Sequence, residues 1–245
     1  MMLPEPDPAY TSSDRAKANF VLAARVATWA VIAVWLAFGL TILLNGWPLQ
    51  WGVQPRQPLG LIGILAAPFL HASFPHLLSN TVPLWVGLVA MLFLYPNAAL
   101  RVLPWMWVAS GGLTWLFGRE ATHVGASGLV YAILTYVFVA GVLRRDMRSM
   151  GVSLMLAFVY GYLVWGVFPV QPAMSWEMHL FGLLSGVALA LWFRHWDVTP
   201  RKVYDWELED ELGEEFQPYF SDDDTTDENA PSKDGSNLDD SDPFR

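Results

Sequence analysis

At 245 residues, 54% hydrophobic, with 13 Trp and a mean hydropathy of +0.34, the chain is too apolar for an ordinary soluble domain, and a multi-spanning membrane protein is expected. The net charge of −9 divides unevenly: residues 1–196 carry 10 basic and 6 acidic side chains and residues 197–245 carry 4 and 17, so a basic membrane part bears an acidic tail, and no nucleic-acid partner is expected. The chain has no cysteine, which excludes disulfides, thiolate metal sites and cysteine nucleophiles.

Residues 1–17 form a short N-terminal segment. Uncharged apolar stretches then fall at 26–44, 77–95, 102–117, 127–143, 151–168 and 178–193, predicting six transmembrane helices within a domain of 18–196. Several are shorter than the roughly 20 residues that cross hydrocarbon, so their helices are expected to extend into the flanks or to thin the bilayer. The first is not read as a signal peptide, because a mostly polar stretch precedes it and no small-residue cleavage site follows. Pro58–Leu70 is apolar but only 13 residues long, and is expected as a loop in the outer interface. Pro83 and Pro104 are placed in the first turns of the second and third spans, where a missing N–H is tolerated. The tail 197–245 is acidic and is expected to be largely disordered, with at most a short surface element over 197–220.

Six spans put both termini on one side. With the N-terminus in the cytoplasm, the inner segments hold Arg15, Lys17, Arg25, Arg101, Arg144, Arg145, Arg148, Arg194, Arg201 and Lys202, while the outer loops hold only Arg56 and Arg119. Basic residues concentrate on the cytoplasmic side of membrane proteins, so this orientation is expected. The second, fourth and sixth spans then all run from outside to inside. His76 and Asn80 open the second, Ser127 opens the fourth, and His179 lies just inside the start of the sixth, so four chemically capable side chains share the outer leaflet. Polar groups at that depth are expensive and mark function by default.

Helical spacing refines the placement. His76 with Asn80, and Ser127 with Tyr131, are i,i+4 pairs on one face. His179, Gly182 and Gly186 also share a face, and the two glycines form a track on which a neighbouring helix can approach closely. If that neighbour is the fourth span, whose Gly128 and Ala132 are small, Ser127 and His179 come within hydrogen-bond reach. A serine hydroxyl is a poor nucleophile until a base such as neutral imidazole takes its proton. Attack on a peptide carbonyl creates an oxyanion that the Ser127 N–H, Asn80 and His76 could stabilise. Glu120 and Glu177 are read as interfacial and Asp146 as lying on the inner side, so no carboxylate is placed to orient His179.

Three segments, HASFPHLLSN at 71–80, HVGASGLVYA at 123–132 and HLFGLLSG at 179–186, resemble the rhomboid intramembrane serine proteases. They match that family's histidine-asparagine motif, its Gly-x-Ser-Gly nucleophile motif and its His-x-x-Gly-x-x-x-Gly motif, in order and over about residues 18–196. The resemblance implies an all-α, six-helix rhomboid-like bundle in the cell membrane of a bacterium, with both termini cytoplasmic and the site open to the outer side. It implies Ser127 as nucleophile, His179 as general base, and His76, Asn80 and Ser127 as the oxyanion site. Tyr131 would pack against His179, with Gly125, Gly128, Gly182, Gly186 and His71 in support. No metal or cofactor is implied. The partners implied are the bilayer and membrane-protein substrates with a helix-destabilised transmembrane segment. The segment 45–70 carries WPLQWGVQPR but lacks the adjacent Trp-Arg pair of many relatives.

Plainer readings compete. Gly125, Ser127 and Gly128 could be a helix-packing motif, and His76 with Asn80 interhelical polar glue. His123 is read as a loop hydrogen-bonder and His195 as an interfacial anchor. An inactive rhomboid-like protein that binds client helices is the alternative function. A transporter would show paired charges or inverted repeats, and a metalloprotease His-Glu-x-x-His; neither pattern is present.

Overall fold

The computed structural model describes residues 14–144, 147–171 and 174–197. The expectations for residues 1–13, Arg145, Asp146, Arg201, Lys202 and the rest of the tail lie outside the described residues. Among those described there are seven α-helices: α1 (Asp14–Leu43), α2 (Gly60–Ala66), α3 (Phe74–Leu94), α4 (Pro96–Phe117), α5 (Ser127–Arg144), α6 (Met147–Tyr160) and α7 (Trp176–Trp192). Four segments, within α1, α3 and α5 and over Ser149–Val167, are long and apolar enough to cross a membrane. At 17 residues α7 is shorter, about 25 Å long.

Apart from α5, the spanning helices begin earlier than the uncharged stretches do. Ser73 caps α3, its hydroxyl accepting from the His76 amide at 3.3 Å, and Pro75 sits in the first turn; Pro96 is the first residue of α4. Both prolines lack the N–H that a helix start leaves unpaired. Pro83 and Pro104 are therefore interior, contrary to the expectation for first turns. Each removes one ladder bond, a kink-producing change. Pro58–Leu70 is corrected too: it folds into α2 and a 3-10 turn over Ala67–Phe69 rather than a loop. Gly111 of α4 meets Ile64 closely, and the Trp107 indole donates to the Ile64 carbonyl at 3.0 Å, so α2 lies against α4.

α5 is the most deeply buried helix, with 67% of its span buried, against 22% for α1 and 11% for Ser149–Val167. α3, α4, α6 and α7 all pack against it. Its Ile133, Val137 and Ala140 are buried in the main apolar core, with Leu77, Met91, Val102 and Met106 from α3 and α4. α1 is held to α3 partly by two indole bonds, Trp85 to Thr28 at 3.0 Å and Trp35 to Thr81 at 3.1 Å.

At the end away from His179 the chain does not run free from Asp197, where the acidic tail was expected to begin. The Asp197 carboxylate accepts from the Ala98 amide at 2.8 Å and from the Asn97 amide and side chain at 3.2 and 2.8 Å, capping α4 from a distance in sequence. Arg144, at the end of α5, donates to the Trp196 carbonyl and, at 3.0 Å, to that of Asp197, and lies over the Tyr95 ring. Arg101 lies over Trp196 at 4.1 Å.

Candidate active site

His76, Ser127 and His179 fall at helix starts, in the first turns of α3, α5 and α7, with Asn80 one turn further along α3. With Tyr131 they line one cavity of about 790 Å³. Ser127, Asn80, Tyr131 and His179 are buried in the fold. No hydrogen bond joins Ser127 to His179 among the described residues; the two face a shared space.

α7 reaches α5 where the glycine track predicts. A Cβ on Gly182 would overlap the Gly128 carbonyl oxygen, and one on Gly186 the Ala132 carbonyl oxygen. Gly128 in turn has Met178 against it, 2.6 Å from an ideal Cβ position to Cγ. These approaches bring His179 onto Tyr131: the rings stack at 4.3 Å between centroids and 10° between planes.

The segment before Ser127 is held from two sides. Val53 and His123 form an antiparallel bridge, Val53 N donating to His123 O at 2.9 Å and His123 N to Val53 O at 2.8 Å. The Gly125 amide donates to Ala67 O at 2.9 Å. Gly125 has φ +113, and a Cβ there would lie 2.6 Å from His76 Nε2, so both backbone and space demand glycine. His76 is thereby seated against the turn that delivers Ser127. Asn80 donates one amide hydrogen to His76 O at 2.8 Å and keeps a second donor.

His71 supports rather than lines the cavity. It is buried, its Nε2 faces the Ala126 amide at a long 3.5 Å, and its ring meets that of His76 edge-on at 5.0 Å. Burial, with the neighbouring His76 adding to it and the Phe69 backbone opposing, pushes the His71 pKa down to about 4. His123 is also lowered, chiefly by burial. Its Nε2 lies 3.1 Å from Arg119 O, which agrees with the loop hydrogen-bonding role expected of it. His195 is far from the cavity residues in the chain's fold, receiving a 3.0 Å bond from Arg194.

Two features were not anticipated. Glu177, expected at the membrane interface, is buried within the fold, where Arg119 from beyond α4 covers it: Nη1 lies 3.4 Å from Oε1, and Nη2 donates to Met174 O at 2.7 Å. Glu120 is exposed. Neither carboxylate orients His179. The neighbour of His179 Nδ1 is instead backbone, the Gly166 carbonyl at 2.9 Å, while Tyr131 donates to Leu163 O at 2.6 Å. A backbone acceptor carries no sequence signature; the only trace was a glycine in an aromatic-rich stretch. No group of three or more metal-ligating side chains occurs among the described residues.

Comparison with known proteins identifies the family of the chain. Residues 58–196 match the family model of the Rhomboid domain. The chain is 36% identical over 152 residues to an uncharacterized protein of Mycobacterium tuberculosis, covering 57% of this chain and 62% of that one. It is 38% identical over 153 residues to one of Mycobacterium leprae, covering 57% and 59%. Over 175 residues it is 27% identical to the rhomboid protease GlpG of Yersinia pestis, covering 67% of this chain and 62% of that protein. The matches thus span less than two thirds of these relatives' length.

Proposed function

The chain belongs to the rhomboid family, and from that premise we propose that it is an intramembrane serine endopeptidase working through a Ser127–His179 dyad. The observation that carries the reading is the convergence of Ser127, His179, His76 and Asn80 on one cavity, with the His179 ring stacked on Tyr131.

The carbonyl at Gly166 can only accept, so His179 carries its proton on Nδ1 and offers the Nε2 lone pair. Ser127 Oγ attacks the scissile carbonyl carbon as its proton passes to Nε2. The oxyanion is met by the second Asn80 N–H, by His76, and by the Ser127 amide, one of those a helix start leaves unpaired. The C–N bond then breaks, and His179 protonates the leaving amine. Water attacks the Ser127 ester, His179 taking its proton and returning it to Oγ as the acid product leaves. No metal or cofactor enters these steps.

The substrates are membrane proteins whose transmembrane segment is readily unwound, since a helix keeps its peptide bonds engaged within itself. In this reading α1, α3, α4, α5, α6 with its following turn, and α7 make the six spans of a domain over 18–196. Both termini are cytoplasmic, the cavity opens outward, and the host membrane is the bacterial plasma membrane; the tail 197–245 is an acidic cytoplasmic appendage.

Purified protein in liposomes is to be incubated with single-span substrates, with Ser127→Ala alongside. Cleavage by the wild type and none by the variant is expected. Client binding without cleavage by either would replace the protease with the inactive client-binding alternative.

A further inference from the structure

Past Tyr160, α6 tightens into a 3-10 turn, Gly161–Val167, none of whose residues is buried. Yet two of its carbonyls reach the buried side chains of Tyr131 and His179. Leu163 O accepts from the Tyr131 hydroxyl at 2.6 Å, and Gly166 O from His179 Nδ1 at 2.9 Å. These are the two rings of the parallel stack at 4.3 Å. A single stretch of backbone therefore holds both rings from the same side, four residues serving two acceptors.

The approach leaves no room for a side chain. A Cβ on Gly166 would overlap the Tyr131 hydroxyl oxygen and stand 3.1 Å from His179 Nδ1. Gly161, at the start of the same turn, has nothing within 4 Å of its Cβ position, so of the two glycines only Gly166 is crowded. Glycine is needed there for the closeness of backbone to imidazole.

We propose that the Gly161–Val167 turn is the third member of the site, with the Gly166 carbonyl setting the tautomer and plane of His179, and Leu163 with Tyr131 bracing it. The inference rests on His179 being the base. In soluble serine hydrolases the partner on Nδ1 is a carboxylate; here a neutral dipole stands in that place, which costs no buried charge in an apolar surrounding. Gly166 is a positioning residue, touching the base and not the substrate. The arrangement also makes the geometry of the base depend on a turn that has little packing of its own, so the turn must be seated before His179 can act.

The tautomer is read by nitrogen-15 magnetic resonance of histidine-labelled full-length protein in detergent, with His179→Ala identifying the His179 signals. At neutral pH the wild type should show a protonated Nδ1 and a bare Nε2. In Gly166→Ala the protonation at Nδ1 should fall in favour of Nε2, and kcat should drop on the order of 10–10² with KM within about twofold, as expected of a misplaced base. Gly151→Ala, on an open face of α6, should leave both measurements as in the wild type. A wild-type His179 protonated on Nε2 overturns the proposal whatever the variants do. So does Gly166→Ala with wild-type tautomer and kcat. Failure of the protease reading is distinct: no cleavage by the wild type, with the tautomer still as described.

Discussion

Gly182→Ala adds one methyl group at the closest approach of α7 to α5, and the structure sets its cost. The added carbon would overlap the Gly128 carbonyl oxygen, and it would lie 3.0 Å from the Gly128 carbonyl carbon and 3.2 Å from its Cα. Ordinary C···O contacts lie at about 3.3–3.6 Å, so the overlap on oxygen is on the order of 1 Å. All three atoms are backbone, in the first turn of a buried helix, and no rotamer relieves them. α7 must therefore move away by about that distance. His179 is one turn earlier on the same face, about 4.5 Å along the axis, and moves by nearly as much. A 1 Å misplacement of reacting groups can cost about 10² in rate, and the effect should fall on kcat. Helix propensity works the other way, favouring alanine by up to about 1 kcal/mol. Gly112→Ala in α4, where a Cβ meets nothing within 4 Å, isolates that term and should keep full activity. The assay is cleavage of a single-span substrate, with thermal unfolding measured in parallel. If Gly182→Ala cleaves at the wild-type rate, the glycine contact does not set the distance between base and nucleophile, and the reasoning fails.

Other outcomes follow from the same geometry. Asn80→Ala should lower kcat by roughly 10²–10³ with little change in folding, measured by single-turnover cleavage, since it removes an oxyanion donor. His71 has its pKa lowered to about 4 from 6.5, so the unfolded chain binds more protons between those values. Stability present above pH 6.5 should thus be lost as the pH falls toward 4. Unfolding midpoints at pH 7 and 4.5 should differ less in His71→Asn than in the wild type. Because the chain has no native cysteine, single cysteines at 56, 119 and 205 report topology: an impermeant thiol reagent should label the first two in intact cells and spare the third. A chain ending after Phe220 should insert and cleave normally, because the proposed topology puts the missing acidic residues on the membrane side opposite the site; loss of cleavage would assign the tail a part in the reaction.

The positions of Ser127, His76, Asn80 and His179 were legible because polar groups stand out in apolar helices and helix direction gives them a common depth. The Gly182 and Gly186 contact was legible from spacing. Helix starts were less so: charge-free stretches mark hydrocarbon, whereas Ser73, Pro75 and Pro96 mark the first turns, which is why Pro83 and Pro104 were assigned to turns they do not occupy. α2 was missed because 13 apolar residues are too few to span and their packing on Trp107 depends on a distant helix. The burial of Glu177 was not legible because its partner, Arg119, lies 58 residues away. The Gly166 carbonyl is beyond any side-chain pattern.

The cap that Asp197 places on α4 has a consequence for register. α7 is tied at one end by Gly182 and Gly186 against α5, and a few residues beyond its other end by Asp197 and Arg144. The count of residues between the two moorings is therefore a fixed length, like the distance between two rivets. Adding or removing one residue within 187–195 would shift one mooring by about 1.5 Å and turn it by about 100° relative to the other. The helix could then satisfy the strap or the cavity, and not both.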